Sequence, residues 1–207
     1  MYRLFGDSQS GNCYKVQLLM SHLGIDFEWQ HVNILGNGTH TSEFLAINPN
    51  GKIPVLELPD GTYLSESNAI LNYLADGTDY LPQDRLLKAR VFEWQFFEQY
   101  SHEPYLATSR FIVKYLGRPK KHEPLLLSKK PGCHKALQIM EGHLEKHDWL
   151  VGDQMTIADI SLYAYTHVSH EGGVGLSDYP FIMAWIKRVR SHPKHVKISD
   201  VSAAAMA

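Results

Sequence analysis

Residues 48–56, Asn-Pro-Asn-Gly-Lys-Ile-Pro-Val-Leu, set the reading of the chain: a dense run of turn formers from Asn48 to Pro54 leads without a break into an apolar strand over residues 55–58. Asp60-Gly61 marks a tight hairpin, and the chain returns as a strand through residues 62–64. Ser65-Glu66-Ser67 then opens a helix, because Ile70, Leu71 and Leu74 share one face and the pattern stops near Asp76-Gly77. Upstream, Tyr2-Arg3-Leu4-Phe5 reads as a short strand ending at Gly6, and the polar run from Asp7 to Asn12 is a loop. From Cys13, the apolar residues Val16, Leu19, Met20 and Leu23 recur at helical spacing until Gly24 stops them. Residues 27–32 are rich in aromatic and β-branched side chains and give a second strand, parallel to the first across the intervening helix. A stretch rich in Gly, Asn and Thr runs on to His40.

The resulting order, β-α-β, connection, β-β-α, predicts a thioredoxin-like α/β domain over residues 1–76. Residues 77–85, short, polar and proline-containing, are the linker, and no convincing strand follows them. From Leu86 to residue 207 the chain reads as an all-α domain. One long aromatic helix passes through Val91, Trp94 and Phe97, and another carries Leu137, Met140 and Leu144. A third starts at Thr156, where Thr156-Ile157-Ala158-Asp159 has the spacing of a capping box. Pro180 suits the first turn of a fourth, whose Ile182, Trp185, Ile186 and Val189 line one face.

Composition narrows the functions open to such a chain. With 207 residues, 44% hydrophobic and 20% charged, it has enough apolar side chain to bury a core and is unlike a disordered polymer. Twenty basic against twenty-two acidic residues give a net charge of -2, which leaves no electrostatic footprint for nucleic acid or an anionic bilayer. No stretch is apolar enough to span a membrane, and the polar, Gly-broken start is unlike a signal peptide, so a cytoplasmic location is expected. Cys13 and Cys133 are far apart and fit neither a CxxC nor a metal spacing, as reduced thiols would be.

NPNGKIPVL, then ESNAILNYL at residues 66–74 after the hairpin, then an aromatic helical domain, together resemble the cytosolic glutathione S-transferase superfamily over the whole chain. The Ser10-Gly11-Asn12-Cys13 start and residues 96–111 are similar to bacterial members. The resemblance implies a homodimer that binds glutathione as co-substrate and adds it to a small electrophile. It implies a cis bond before Pro54, with the Ile53 main chain pairing the cysteinyl part of the peptide. Read bottom-up, a proline there can be cis and present the preceding backbone to a ligand, or can merely start the strand. Glu66 and Ser67 stand at a helix start, where amides, dipole and hydroxyl attract a carboxylate and Glu66 can meet an ammonium; the plainer reading is an ordinary cap by Ser67. Lys52 is a candidate partner of the glycyl carboxylate or an exposed loop lysine. Thr39 falls where related sequences often place a glutathione-contacting histidine, and His40 is one residue out of register.

Catalysis in this family amounts to holding the glutathione sulfur as a thiolate. A free thiol with a pKa of about 8.5 is only a few per cent ionised at neutral pH, and lowering it by about two units takes roughly 2.7 kcal/mol. One or two hydrogen bonds to a charged acceptor supply that. Ser10-Gly11-Asn12-Cys13 resembles the Ser-x-x-Cys run of serine-type, theta-like members, which makes Ser10 the first candidate donor. Asn12 stands where those classes often have proline, and its amide is the second. No tyrosine occupies the early loop in the tyrosine-type position. Cys13, at a helix start, is a reactive thiol or the buried structural cysteine of the run.

Phe97, Tyr100, Tyr105 and Phe111 are candidates for the wall of an apolar-substrate site between the first loop and the aromatic helix, or are core at helical spacing. His143 and His147 are one turn apart, but the glutamate between them is out of the HExxH position and no third ligand is evident, so no metal is expected. Two further readings stay open beside conjugation: glutathione-dependent disulfide reduction, and a non-catalytic ligand-binding protein of the same fold.

Overall fold

The computed structural model describes residues 1–200, which divide into two compact units. The first takes Met1–Asp76 and, among the described residues, 193–200; the second is Gly77–His192. The sequence reading carried the helical domain through to residue 207. Residues 193–200 instead belong to the first unit, and the end of the predicted domain lies outside the described residues.

In the first unit, β1 (Tyr2–Gly6), β2 (Phe27–His31), β3 (Val55–Glu57) and β4 (Tyr63–Ser65) form one sheet in the order β2-β1-β3-β4. β1 and β2 are parallel, joined by the crossover helix α1 (Gly11–Leu23), while β3 runs antiparallel to both β1 and β4. Leu4 and Leu56 are fully buried together with Val16, Leu19 and Met20 of α1 and Ile70 and Leu71 of α3 (Ser67–Ala75), a helix packed on α1. A second cluster holds Val32, Phe44 and Val55 with Phe5, Ile47 and Ile53 against it. Phe44 and Ile47 come from α2 (Ser42–Ile47), capped by the Thr41 hydroxyl, which accepts the Phe44 N–H at 3.2 Å. Sequence reading passed over α2, since six residues are too few for a 3.6-residue period to show.

The C-terminal strap is held by three side chains on one face of α1. Tyr14 donates its hydroxyl to the Val196 carbonyl at 2.7 Å, Gln17 donates to the Asp200 carbonyl at 2.8 Å, and Ser21 donates to the Lys194 carbonyl at 2.8 Å. Positions three and four apart face the same way on a helix, so the strap and the sheet lie on different faces of α1.

The second unit is helical throughout its regular structure. Its first long run changes its winding twice: α4 (Arg85–Phe97) passes through a π-helical turn at Glu98–His102 into α5 (Glu103–Arg110), and a second π turn follows at Phe111–Tyr115. Each π turn inserts a residue into the hydrogen-bond ladder. α6 (Glu123–Leu144), α7 (Ile157–Thr166) and α8 (Pro180–Arg190) complete the unit, and every residue of α7 is buried. The predicted capping box is present at Thr156 and Asp159. Asp159 is fully buried and accepts four hydrogen bonds: Leu150 N–H at 3.0 Å and Trp185 Nε1–H at 2.9 Å on Oδ1, Thr156 N–H at 2.9 Å and the Thr156 hydroxyl at 3.2 Å on Oδ2. Burial pushes its carboxyl up to about 6, against the pull of those donors. Pro180 opens α8, which buries Ile182, Trp185, Ile186 and Val189 as the periodicity requires. No helix among the described residues is long and apolar enough to cross a membrane.

Arg110, 2% exposed, donates from Nε to Glu171 Oε2 at 2.6 Å, and Lys114 Nζ donates to Oε1 at 2.9 Å. Burial alone would raise the Glu171 carboxyl, but the Lys114 and Arg110 hydrogen bonds outweigh it and hold the group below the ordinary glutamate range. A carboxylate whose folded pKa is depressed contributes stability that is present above its unfolded value and is lost as the pH falls through the folded value. Urea midpoints measured down an acid series should therefore fall more steeply in the wild type than in Glu171→Gln. Parallel acid limbs would show that the pair carries no such linkage.

Candidate active site

The strand register gathers the predicted glutathione residues. Phe5 pairs with Val55, and Val55 with Ser65, so these three positions line up across β1, β3 and β4. At that same edge the chain leaves β1 through Gly6 into the first loop, enters β3 from Ile53-Pro54, and leaves β4 into Glu66. Ser10, Ile53, Pro54, Glu66 and Ser67 therefore share one end of one sheet.

Gly6 begins the edge. A Cβ there would sit 2.5 Å from Cys13 Sγ, so only glycine lets the end of β1 pass the first turn of α1. Ser10 caps α1, its Oγ accepting the Cys13 N–H at 3.4 Å while its own N–H bonds the Asp7 carbonyl at 3.0 Å. The Ser10 hydroxyl therefore stands at the start of α1, beside amides whose dipoles favour negative charge. Asn12 is half-buried on the first turn. Cys13 is fully buried, and burial pushes its thiol up to about 12 in spite of the Ser10 contact. A thiol so placed is a core side chain, because nucleophilic cysteines need a thiolate and access.

The turn before β3 is braced from within. Asn48, buried, donates from Nδ2 to the Lys52 carbonyl at 2.7 Å and accepts the Asn50 N–H at 3.1 Å. Gly51 adopts φ +61°, and a Cβ on it would come 3.2 Å from the Thr39 carbonyl oxygen. That close approach joins the 3-10 turn Gly38–His40 to the turn before β3. Thr39 is buried with its Oγ1 2.9 Å from His40 Nδ1, and Lys52 is exposed. The Ile53–Pro54 peptide is cis. Sequence reasoning named Lys52, Ile53 and Pro54 but missed Asn48 as the brace, although an asparagine two residues before Asn50-Gly51 is the signal of an Asx turn.

At α3 the order differs from a serine cap. Glu66 occupies the cap position with φ 69° and ψ 111° and no side-chain capping bond, and Ser67 is the first helical residue. A non-glycine residue in that region carries strain of about 1–3 kcal/mol and marks functional sites more often than ordinary turns. Glu66 is exposed, while Ser67 is buried and accepts a hydrogen bond from Lys15 Nζ at 3.3 Å.

The four aromatic candidates are all in the second unit. Phe97 packs edge-on to Trp94 at 5.4 Å, and both line a cavity of about 530 Å³ with His143 and Trp149. Tyr100, on the π turn, is 85% exposed; Tyr105 takes Lys129 over its ring at 5.4 Å; Phe111 lies against Tyr115 at 5.4 Å. His143 and His147 stack at 4.5 Å, and among the described residues no group of three or more His, Cys, Asp or Glu is arranged to hold a metal.

The chain is similar to known proteins over most of its length. The N-terminal domain model of glutathione S-transferases matches residues 9–76, and the C-terminal domain model matches residues 94–193. A crystal structure of a glutathione S-transferase from Pseudomonas fluorescens is 56% identical, covers 96% of this chain and 99% of its own, and superposes with a TM-score of 0.94. One from Xanthobacter autotrophicus is 44% identical over 96% of this chain and 97% of its own, with a TM-score of 0.92. The glutathione S-transferase-like protein LUC7 of a Fusarium species is 30% identical over 90% of this chain and 87% of its own length. The chain belongs to the glutathione S-transferase family, with a thioredoxin-like N-terminal half and the family's helical C-terminal half. Its reaction class is glutathione transfer.

Proposed function

We propose that this transferase is of the serine type and conjugates glutathione to small, hydrophobic electrophiles. Glutathione lies along the sheet edge shared by the first loop, the turn before β3 and the start of α3. The Ile53 main chain, presented at Pro54, pairs the cysteinyl part. Ser67 and the α3 amides take the α-carboxylate of the γ-glutamyl group, Glu66 takes its ammonium, and Lys52 takes the glycyl carboxylate, with Thr39 beside that turn. The sulfur then faces Ser10, whose hydroxyl stabilises the thiolate for attack on an electrophilic carbon, with the Asn12 amide as the second donor. The observation that carries this reading is the register, which brings three separate segments to one edge in a chain of this family. The fully buried Cys13 supports it further, because the sulfur that reacts is then the peptide's.

The electrophile meets the aromatic run of the second unit, to which Tyr100 and Phe111 offer exposed rings and Phe97 and Tyr105 partly buried ones. A cytoplasmic homodimer completes the proposal on the strength of the family alone. Titration calorimetry with glutathione and an absorbance assay with a chlorodinitrobenzene acceptor test it together. Binding with turnover is expected, and Ser67→Ala should weaken glutathione about tenfold, the effect of one hydrogen bond to a charged group. A folded wild type that neither binds nor conjugates glutathione would falsify the reading.

A further inference from the structure

Lys15 lies one turn inside α1, beyond the Ser10 cap, and is fully buried. A lysine removed completely from water needs fixed partners to replace its hydration. One of them is Ser67, whose Oγ accepts from Lys15 Nζ at 3.3 Å across the packed helices α1 and α3. An ammonium has donors and no acceptor, whereas a hydroxyl has a single hydrogen and two lone pairs. Their contact therefore fixes how the serine is used: its oxygen faces the lysine and its hydrogen is turned to another acceptor. A neighbouring cation also polarises the O–H bond and makes it a better donor. Ser67 opens α3, where the main-chain amides already favour an anion.

We infer that Lys15 is a positioning residue of the glutathione site: it holds the Ser67 oxygen, aims the Ser67 hydrogen at the α-carboxylate of the γ-glutamyl group, and sets a buried positive charge behind that contact. The inference deepens the proposed function and rests on it. Lys15 acts through Ser67 and takes no part in ionising the sulfur, so its effect belongs in peptide affinity and not in turnover at saturation.

Two peptides separate this role from a merely structural one: glutathione, and the analogue in which γ-aminobutyrate replaces the γ-glutamyl residue, removing the α-carboxylate alone. Calorimetry on the wild type, Lys15→Met, Ser67→Ala and the double variant reads both. Methionine keeps the unbranched stem in the core. Lys15→Met should lose about tenfold or more in glutathione affinity, as one charge-assisted hydrogen bond predicts. Ser67→Ala should lose as much, and the double variant no more than either. The analogue should bind wild type and Lys15→Met alike. Equal loss for both peptides, additive losses in the double variant, or an unchanged glutathione affinity in Lys15→Met overturns the role. Should the variants fail to melt cooperatively, the ammonium NMR signal of Lys15 in the wild type decides: it is expected to move with glutathione and not with the analogue, and an equal response to both overturns the role. No heat from the wild type with glutathione overturns the site itself; heat from the wild type with an indifferent Lys15→Met overturns only the part given to Lys15.

Discussion

Ser10→Ala is expected to lower saturated turnover with a chlorodinitrobenzene acceptor by about 10- to 100-fold, the cost of one hydrogen bond to a developing anion, while glutathione affinity changes by less than about threefold. The split follows from where the group acts. Ser10 caps α1 with its oxygen; on the proposed reading its hydroxyl faces the sulfur, so removing it should touch the ionisation of bound glutathione and leave the turn at Pro54 and the start of α3 in place. The thiolate fraction of the bound peptide, read from its ultraviolet absorbance against pH, should shift to higher pH in the same variant. Alanine also removes a cap, which costs about 1 kcal/mol of stability and is corrected for by measuring the melting temperature alongside. If Asn12→Ala shows the large loss and Ser10→Ala does not, the amide is the donor and the serine-type reading falls.

The largest effect on stability is expected at Asp159. Asp159→Ala strips the acceptor from four donors at once, all of them buried groups of Leu150, Thr156 and Trp185. Leaving such groups unsatisfied should cost about 3–5 kcal/mol, a large share of the roughly 5–15 kcal/mol that holds a domain of this kind together. Asp159→Asn keeps the shape, yet its amide turns a donor toward two of the four donors, so it should recover less than half of the loss. Urea unfolding supplies the check, with the midpoint falling and the slope unchanged. A midpoint within about 1 kcal/mol of wild type in the alanine variant would mean that the bonds contribute little net stability.

Much of this architecture was legible in the sequence because its signals are local. The β1-α1-β2 opening rests on the spacing of Val16, Leu19, Met20 and Leu23 and on Gly24, and the structure ends α1 there with Gly24 at φ 70°. The capping box at Thr156 and the Pro180 start of α8 were equally plain, since each needs only neighbouring residues. What could not be read depends on distant partners. Nothing near Lys15 announces that its ammonium ends beside Ser67, fifty-two residues away. The π turns within the long aromatic run leave no mark on a 3.6-residue pattern, so neither Glu98–His102 nor Phe111–Tyr115 could be read ahead. Glu66 carries the unusual backbone where the sequence offered Ser67 as the cap, because a cap is read from side-chain chemistry and this one is set by the backbone entering from β4.

The three bonds from Tyr14, Gln17 and Ser21 to residues 193–200 bear on the order in which the molecule can be completed during synthesis. Translation delivers α1 early and its strap only after the whole of Gly77–His192 has emerged. At about 5–20 residues per second that delay is on the order of ten seconds, long beside the time in which a helix or hairpin forms. The nascent glutathione-binding half therefore waits on the ribosome with one flank of α1 uncovered, and it closes only after the helical half has had time to fold.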